Sequence, residues 1–306
     1  MRDVCHKSGP LTSNPNEEHM TETLVHDPAR DRQLAAAAQQ GDLEALNLLV
    51  ERHQAWIFHI AQRMLWNRAD AEDATQEILI KAVTRLHSFE GRSEFRTWLY
   101  RIAANHLLDC RRSAKSFQGV ATALAAIPDE DIPDPNGTGM ETALLIEEAK
   151  IACTCGILLC LEPRQRLAFL IGEVLGVGDD VGAEILETSP ANFRQILSRA
   201  RRDLYGFLQQ QCGLVNRENQ CRCARKARGF IERGFVSPDH PQFVAGRLVP
   251  VRSVAALDRY HEIQDLERQH AEIYRGQPLL SPPDHSARLR ELFRKTGLQR
   301  SMELGE

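Results

Sequence analysis

Apolar residues in this chain recur every three or four positions over long stretches and almost never alternate, a pattern that builds packed helices and leaves little material for a sheet. Leu43, Leu46, Leu49 and Val50 share one helical face, followed by Trp56, Ile57, Ile60, Ala61, Met64 and Leu65. A second helical block runs from about Glu141 to Gln211, with breaks at Glu162-Pro163 and near Gly176-Val177-Gly178. At 306 residues and 42% hydrophobic content the chain is long enough for two or three small cores. The expected fold class is all-α.

Composition sets the boundaries. Residues 1–31 are polar, without an apolar period, and read as a flexible leader. Residues 32–112 form the first helical domain. Residues 113–140 gather small residues, Asp and Pro, ending in Ile127-Pro128-Asp129-Glu130-Asp131-Ile132-Pro133-Asp134-Pro135-Asn136-Gly137, and read as a flexible linker. Residues 141–211 form the second helical domain, and 212–306 a mostly helical extension containing Cys and Arg. In that extension Val254, Leu257, Tyr260, Ile263, Ile273 and Tyr274 fall at roughly helical spacing, and a last short helix carries Leu289, Leu292 and Phe293. No secretory signal or membrane span is evident, so a cytoplasmic protein is expected. The net charge of −4 excludes a generic DNA-coating protein, and any DNA contact must come from local patches.

Two such patches lie in tandem. The acidic segment Asn67 to Lys81 includes Asp70-Ala71-Glu72-Asp73-Ala74-Thr75-Gln76-Glu77, with Asp70, Asp73, Gln76, Glu77 and Lys81 spaced along one helical surface. The basic, aromatic segment Phe95-Arg96-Thr97-Trp98-Leu99-Tyr100-Arg101-Ile102-Ala103-Ala104-Asn105-His106 continues to Arg111-Arg112 and mixes phosphate-binding with stacking side chains. Further on, a short helix containing Val181 and Ile185, both expected inward, meets a turn; Ser189 can then cap a second helix that opens with Pro190. That is helix-turn-helix spacing. On its second helix Phe193, Ile196, Leu197 and Ala200 point to a core, leaving Asn192, Arg194, Gln195, Ser198, Arg199 and Arg201 outward, residue types suited to base edges and phosphates.

Taken together, the acidic segment, the Phe95–Ala103 segment and the helix-turn-helix ending Leu197-Ser198-Arg199-Ala200-Arg201-Arg202-Asp203-Leu204 resemble a bacterial RNA polymerase sigma factor of the extracytoplasmic-function group, over about Arg32 to Gln211. The resemblance implies a region 2-like bundle followed by a region 4-like helix-turn-helix domain, and a promoter-recognition subunit rather than an enzyme. It implies that the acidic helix docks on the beta-prime clamp helices of core RNA polymerase, with the beta flap as a further contact and promoter DNA as ligand. It also implies that Asn105 contacts an opened minus-ten base, that Arg96, Arg101, Arg111 and Arg112 hold phosphates, and that the loop His87–Ser93, with Phe89 and Arg92, walls the base pocket. Trp98 is either a stacking surface or a core residue. The second domain would read the minus-thirty-five element as duplex, although Gly176–Asp180 and Pro190–Arg194 depart from the family's usual residues there. An anti-sigma factor is a further expected partner class; a stand-alone helix-turn-helix regulator is the alternative reading.

The extension adds Cys212, Cys221 and Cys223. One reading is a structural zinc site completed by His240 or another cysteine, a second is a redox-responsive thiol cluster, and a third is a basic patch in which the cysteines are incidental. No cofactor is otherwise required. Arg222, Arg225, Lys226, Arg228 and Arg233 are expected to lower the thiol pKa values, and Cys153, Cys155 and Cys160 to serve as small apolar residues.

Overall fold

The computed structural model describes residues 27–110, 115–128, 130, 140–239 and 273–275. Among these there are helices and turns and no strands. Helix α1 (Pro28–Gln39) starts at Asp27, whose carboxylate accepts from Arg30 N at 3.0 Å, with Pro28 at the first helical position. Helix α2 (Leu43–Leu65) is capped by Asp42, which accepts from Glu44 N and Ala45 N. Helix α3 (Arg68–Thr84) is capped by Asn67, which accepts from Asp70 N at 3.0 Å. A 3-10 turn (Leu86–Ser88) leads to α4 (Phe95–Asp109). Helices α1 to α4 pack on one another as a bundle.

Helix α5 (Phe117–Ala125) lies within the segment expected to be a linker. It is held by Phe117 against Phe207, with ring centroids 5.2 Å apart, and by Ile127, which is buried just beyond its end. Helix α6 (Met140–Leu158) is followed by α7 (Pro163–Phe169), which continues into a π-helical turn (Leu170–Val174). The expected breaks fall where Pro163 opens α7 and where Gly176 takes φ 67°, a left-handed conformation that glycine adopts without strain. Helix α8 (Asp179–Ile185), α9 (Pro190–Gln211) and α10 (Cys223–Glu232) complete the order. Of the expected leader, residues 28–31 instead form the first turn of α1, with Asp31 buried; residues 1–26, Arg111, Arg112, His240 and the expected helices around 254–263 and 289–293 lie outside the described residues.

The two helical blocks share one contiguous core that runs from Leu34 to Tyr274. Arg166 joins them. Its guanidinium, on a side chain only 1% exposed, donates to Met64 O at the end of α2 (2.6 Å) and to Leu158 O, Leu159 O and Leu161 O at the end of α6 (3.0, 3.1 and 3.0 Å). A cation set on the carbonyl ends of two helices satisfies their orphan acceptors and opposes both dipoles. Beside it Trp66 caps α2 in the left-handed region (φ 52°), a position glycine usually takes. The surroundings hold it there: Trp66 Nε1 donates to Ala152 O at 3.1 Å, Gly156 lies against the ring, and Lys115 sits over its face.

Candidate nucleic-acid interface

Helix α3 turns Ala71, Ala74, Thr75, Ile78, Leu79, Ala82 and Val83 inward. That leaves Asp73 and Glu77 exposed and Asp70, Gln76 and Lys81 half-buried, so the acidic surface faces solvent beside α4. Lys81 has a second role that the sequence reading did not anticipate: its Nζ lies 2.7 Å from His106 Nδ1 of α4. Burial, followed by the Lys81 charge, holds His106 below the ordinary histidine pKa, and Glu77 and Asp109 only partly oppose this. The acidic helix and its basic neighbour are therefore electrically joined.

Helix α4 divides its residues by face. Phe89, Phe95 and Trp98 stack on one another at centroid distances of 5.4 to 5.5 Å, with Trp98 only 7% exposed. Trp98 is thus a core residue with no free ring face for a base, and buried Phe89 supports the His87–Ser93 loop from beneath. Arg96 lies over the Tyr100 ring and donates to its hydroxyl at 2.7 Å, while burial, partly opposed by Arg96, pushes the Tyr100 phenol up to about 12. Arg92 is exposed and paired with Glu90 at 2.7 Å. Arg101 is half-buried, and Asn105 is exposed.

Beneath this surface is a buried polar cluster. Asp31 accepts from Arg52 Nε at 2.7 Å and faces His53 Nε2 at 3.2 Å, while His53 Nδ1 accepts from Trp56 Nε1 at 3.0 Å. That pattern leaves the imidazole neutral. Burial keeps His53 below its usual pKa despite Asp31, and burial of Asp31 is outweighed by His53 and Arg52, so its pKa is lowered. Burial also holds His59, 2.7 Å from Arg63 Nη1, well below the usual value.

The helix-turn-helix forms around an aromatic knob. Phe193 packs over Gly182, where an added Cβ would meet the ring at 2.4 Å, so α8 and α9 cross closely only because position 182 is glycine. Ser189 accepts from Asn192 N at 3.2 Å, and Pro190 occupies the first helical position. Glu187 completes the turn at φ 50°. Asn192, Arg194, Gln195, Ser198 and Arg199 are exposed. Ile185 is buried, but Val181, expected inward, is 39% exposed: Gly182 and Ala183 take the inner face of the short helix instead. Arg201 is drawn to Glu173, whose other carboxylate oxygen takes Arg275 Nη2 at 2.9 Å. Tyr274 next to it is fully buried against Phe169.

Helices α4 and α8 touch, with Asn105 Nδ2 3.5 Å from Glu187 Oε1. The Asn105 end of α4 thus rests on the turn of the helix-turn-helix.

Comparison with known proteins decides the family. The description "Sigma-70 region 2" matches residues 49–117. RNA polymerase sigma factor NccH of Alcaligenes xylosoxydans is 30% identical over 190 residues, covering 60% of this chain and 97% of that protein. The chain belongs to the RNA polymerase sigma factors of the extracytoplasmic-function group. The sigma-E factor of Escherichia coli K12 is 30% identical over 56% of this chain and 90% of its own length, and that of Haemophilus influenzae 47% identical over 75 residues, 24% and 39% of the two chains. Among solved structures, CnrH in complex with the cytosolic domain of CnrY aligns at TM-score 0.44 and 24% identity, over 59% of this chain and 97% of that one. As a sigma factor the protein is a non-enzymatic subunit that binds core RNA polymerase and directs it to promoter DNA. The reading as a stand-alone regulator is not favoured.

The extension corrects one expectation. Its basic residues hold the chain rather than lowering the thiol pKa values: Lys226 Nζ donates to Ile127 O, Arg233 Nη2 to Ala126 O at 3.0 Å, and Arg228 pairs with Glu130 at 2.7 Å. Burial pushes the Cys212 thiol up to about 11, and burial followed by the neighbouring thiols raises Cys223 further.

Proposed function

We propose that the sigma factor docks on the beta-prime clamp helices of core polymerase through Asp70, Asp73, Gln76 and Glu77. In this reading α4, with Arg92, Arg96, Arg101 and Asn105, holds opened minus-ten DNA, and α9 reads the minus-thirty-five duplex through Asn192, Arg194, Gln195, Ser198 and Arg199, with the beta flap beside it. The observation that carries the reading is the division of α9 into an inner face of Phe193, Leu197 and Ala200 and an outer face that is polar and basic along its first three turns. The acidic outer face of α3 gives independent support, because it repels DNA and suits a basic protein groove. Promoter loading then requires α4 to leave α8, and an anti-sigma protein is the partner class expected to keep the two together. Such a protein works in the cytoplasm beside polymerase; no described helix is long and apolar enough to cross a membrane.

The test is specific initiation in vitro with purified core polymerase. The double charge reversal Asp73→Lys, Glu77→Lys is expected to abolish polymerase association while leaving the fold intact by circular dichroism. Unchanged initiation by that variant would overturn the docking surface.

A further inference from the structure

A cavity of about 320 Å³ lies where the end of the first bundle meets the extension. Helix α6 gives it Cys153 and Gly156, α5 gives Val120 and Leu124, α10 gives Phe230, and the residue after α2 gives Trp66. Carbon lines nearly all of it. Trp66 has already spent its polar group, since Nε1 donates to Ala152 O at 3.1 Å, so its ring offers the cavity only carbon.

Water is a poor occupant of such a space, because an ordered molecule needs several polar partners, and apolar voids of about 150 Å³ stay dry yet take up a benzene ring. The volume instead suits an organic body of about ten carbon atoms, at the small end of the range for ligand pockets. A metal is not the ligand either: Cys153 is the one thiol in the wall, and no three His, Cys, Asp or Glu groups among the described residues are arranged to hold a metal ion.

The mouth adds charge of one sign. Lys115, Arg233 and Phe235 line the cavity and are exposed, and none of the lining residues is acidic. Lys115 is anchored through its backbone N–H, which donates to Leu159 O at 2.8 Å, and its ammonium lies 4.7 Å from the centre of the Trp66 ring. Arg233 Nη1 and Nη2 donate to Gly229 O and Ala126 O at 3.3 and 3.0 Å, which fixes the guanidinium at the rim and leaves further N–H donors over. Phe235, its ring 5.4 Å from Trp66 and 5.7 Å from Phe230, is 40% exposed, an aromatic surface that a guest would take out of water.

We propose that this cavity binds an amphiphilic carboxylate, with an apolar chain or ring system of about ten carbons against Trp66, Leu124 and Phe230 and its carboxylate held at the mouth by Lys115 and Arg233. Such a guest touches the end of α2, α5, α6 and α10 at once, and so stabilises the packed arrangement of the two helical blocks by mass action. Where promoter loading needs α4 to leave α8, the guest is a brake; that consequence rests on the proposed function, and the binding does not.

The experiment titrates decanoate, below its micellar range, into the full chain by calorimetry. Saturable binding of one molecule per chain is expected, with a raised melting temperature and slower hydrogen exchange in α5 and α10. Octanoate should bind about fifteenfold more weakly, for two methylenes fewer. Decanol with the wild-type chain, and decanoate with Lys115→Gln, should each bind about threefold more weakly, for the loss of an exposed ion pair. Cys153→Phe, with helix content verified by circular dichroism, fills the cavity and should abolish binding. No saturable uptake by the wild-type chain, equal affinity for octanoate and decanoate, or binding retained in Cys153→Phe would each overturn the site, and decanol bound as tightly as decanoate would overturn the anionic head. Initiation in vitro should fall as decanoate fills the site; unchanged initiation at saturation would remove the brake and leave the site standing.

Discussion

Helices α9 and α10 are both rich in arginine and put it to opposite use. On α9, Arg199 stands in solvent on the face left by Phe193 and Leu197, and Arg194, though exposed, lies 3.5 Å from the Asp179 carboxylate. On α10, Lys226, Arg228 and Arg233 are turned back onto Ile127, Glu130 and Ala126, the far end of the α5 segment. The difference teaches that a basic run marks a nucleic-acid surface where its cations stay largely in solvent, and not where most of them are turned onto carbonyls and carboxylates of the same chain. Arg166 is the extreme of the second use, a guanidinium wholly taken up by four carbonyls.

The comparison can be broken by substitution. Arg166→Met is expected to have the largest effect, about 3–5 kcal/mol of stability measured by urea unfolding, because four buried acceptors lose their donor. Gly182→Ala should cost about 1–3 kcal/mol and reduce promoter activity, since its methyl would overlap the Phe193 ring. Arg199→Ala should leave the melting temperature unchanged and weaken promoter binding by about 1–3 kcal/mol, measured by fluorescence anisotropy on duplex promoter DNA. Arg233→Ala should do the reverse, costing about 1 kcal/mol of stability with an unchanged salt dependence of DNA binding. If Arg233→Ala lowers the salt slope as Arg199→Ala does, the division between the two helices fails.

Acid offers a gentler probe. His53, His59 and His106 all have lowered pKa values, so below about pH 6.5 the unfolded chain binds more protons than the folded one. Their contribution is present above the unfolded pKa and is lost as pH falls toward the folded values. Asp31, also lowered, adds stability that is lost only in the carboxylate range. Every described histidine lies in the first bundle, so hydrogen exchange between about pH 7.5 and about pH 6 should loosen α2 and α4 before α9. Uniform loosening would show that burial of these rings is not what couples the bundle to pH.

Local chemistry made much of this legible. Ser189-Pro190 announced the start of α9, the 3.6-residue period of α2 exposed its inner face, and the charge alternation of α3 and α4 distinguished two surfaces. What was not legible depends on partners far along the chain. Helix α5 is nine residues long, with three alanines and one glycine, and its place is set by Phe207 and by α10. Val181 was expected inward because it is apolar, yet Gly182 faces Phe193, and close approach of two helices outweighs the burial of one side chain. The carbonyl set around Arg166, drawn from Met64 and from the end of α6, leaves no trace in any window of sequence.

Glu173 offers its two oxygens to two guanidinium groups, one on the helix proposed to read the promoter and one in the tail. Each cation that withdraws deepens the hold on the other. If residue 275 lifts away, Arg201 is gripped harder by its own protein and is less available to a phosphate. The tail would then tune the affinity of the DNA surface from behind, without a change of shape and without touching DNA.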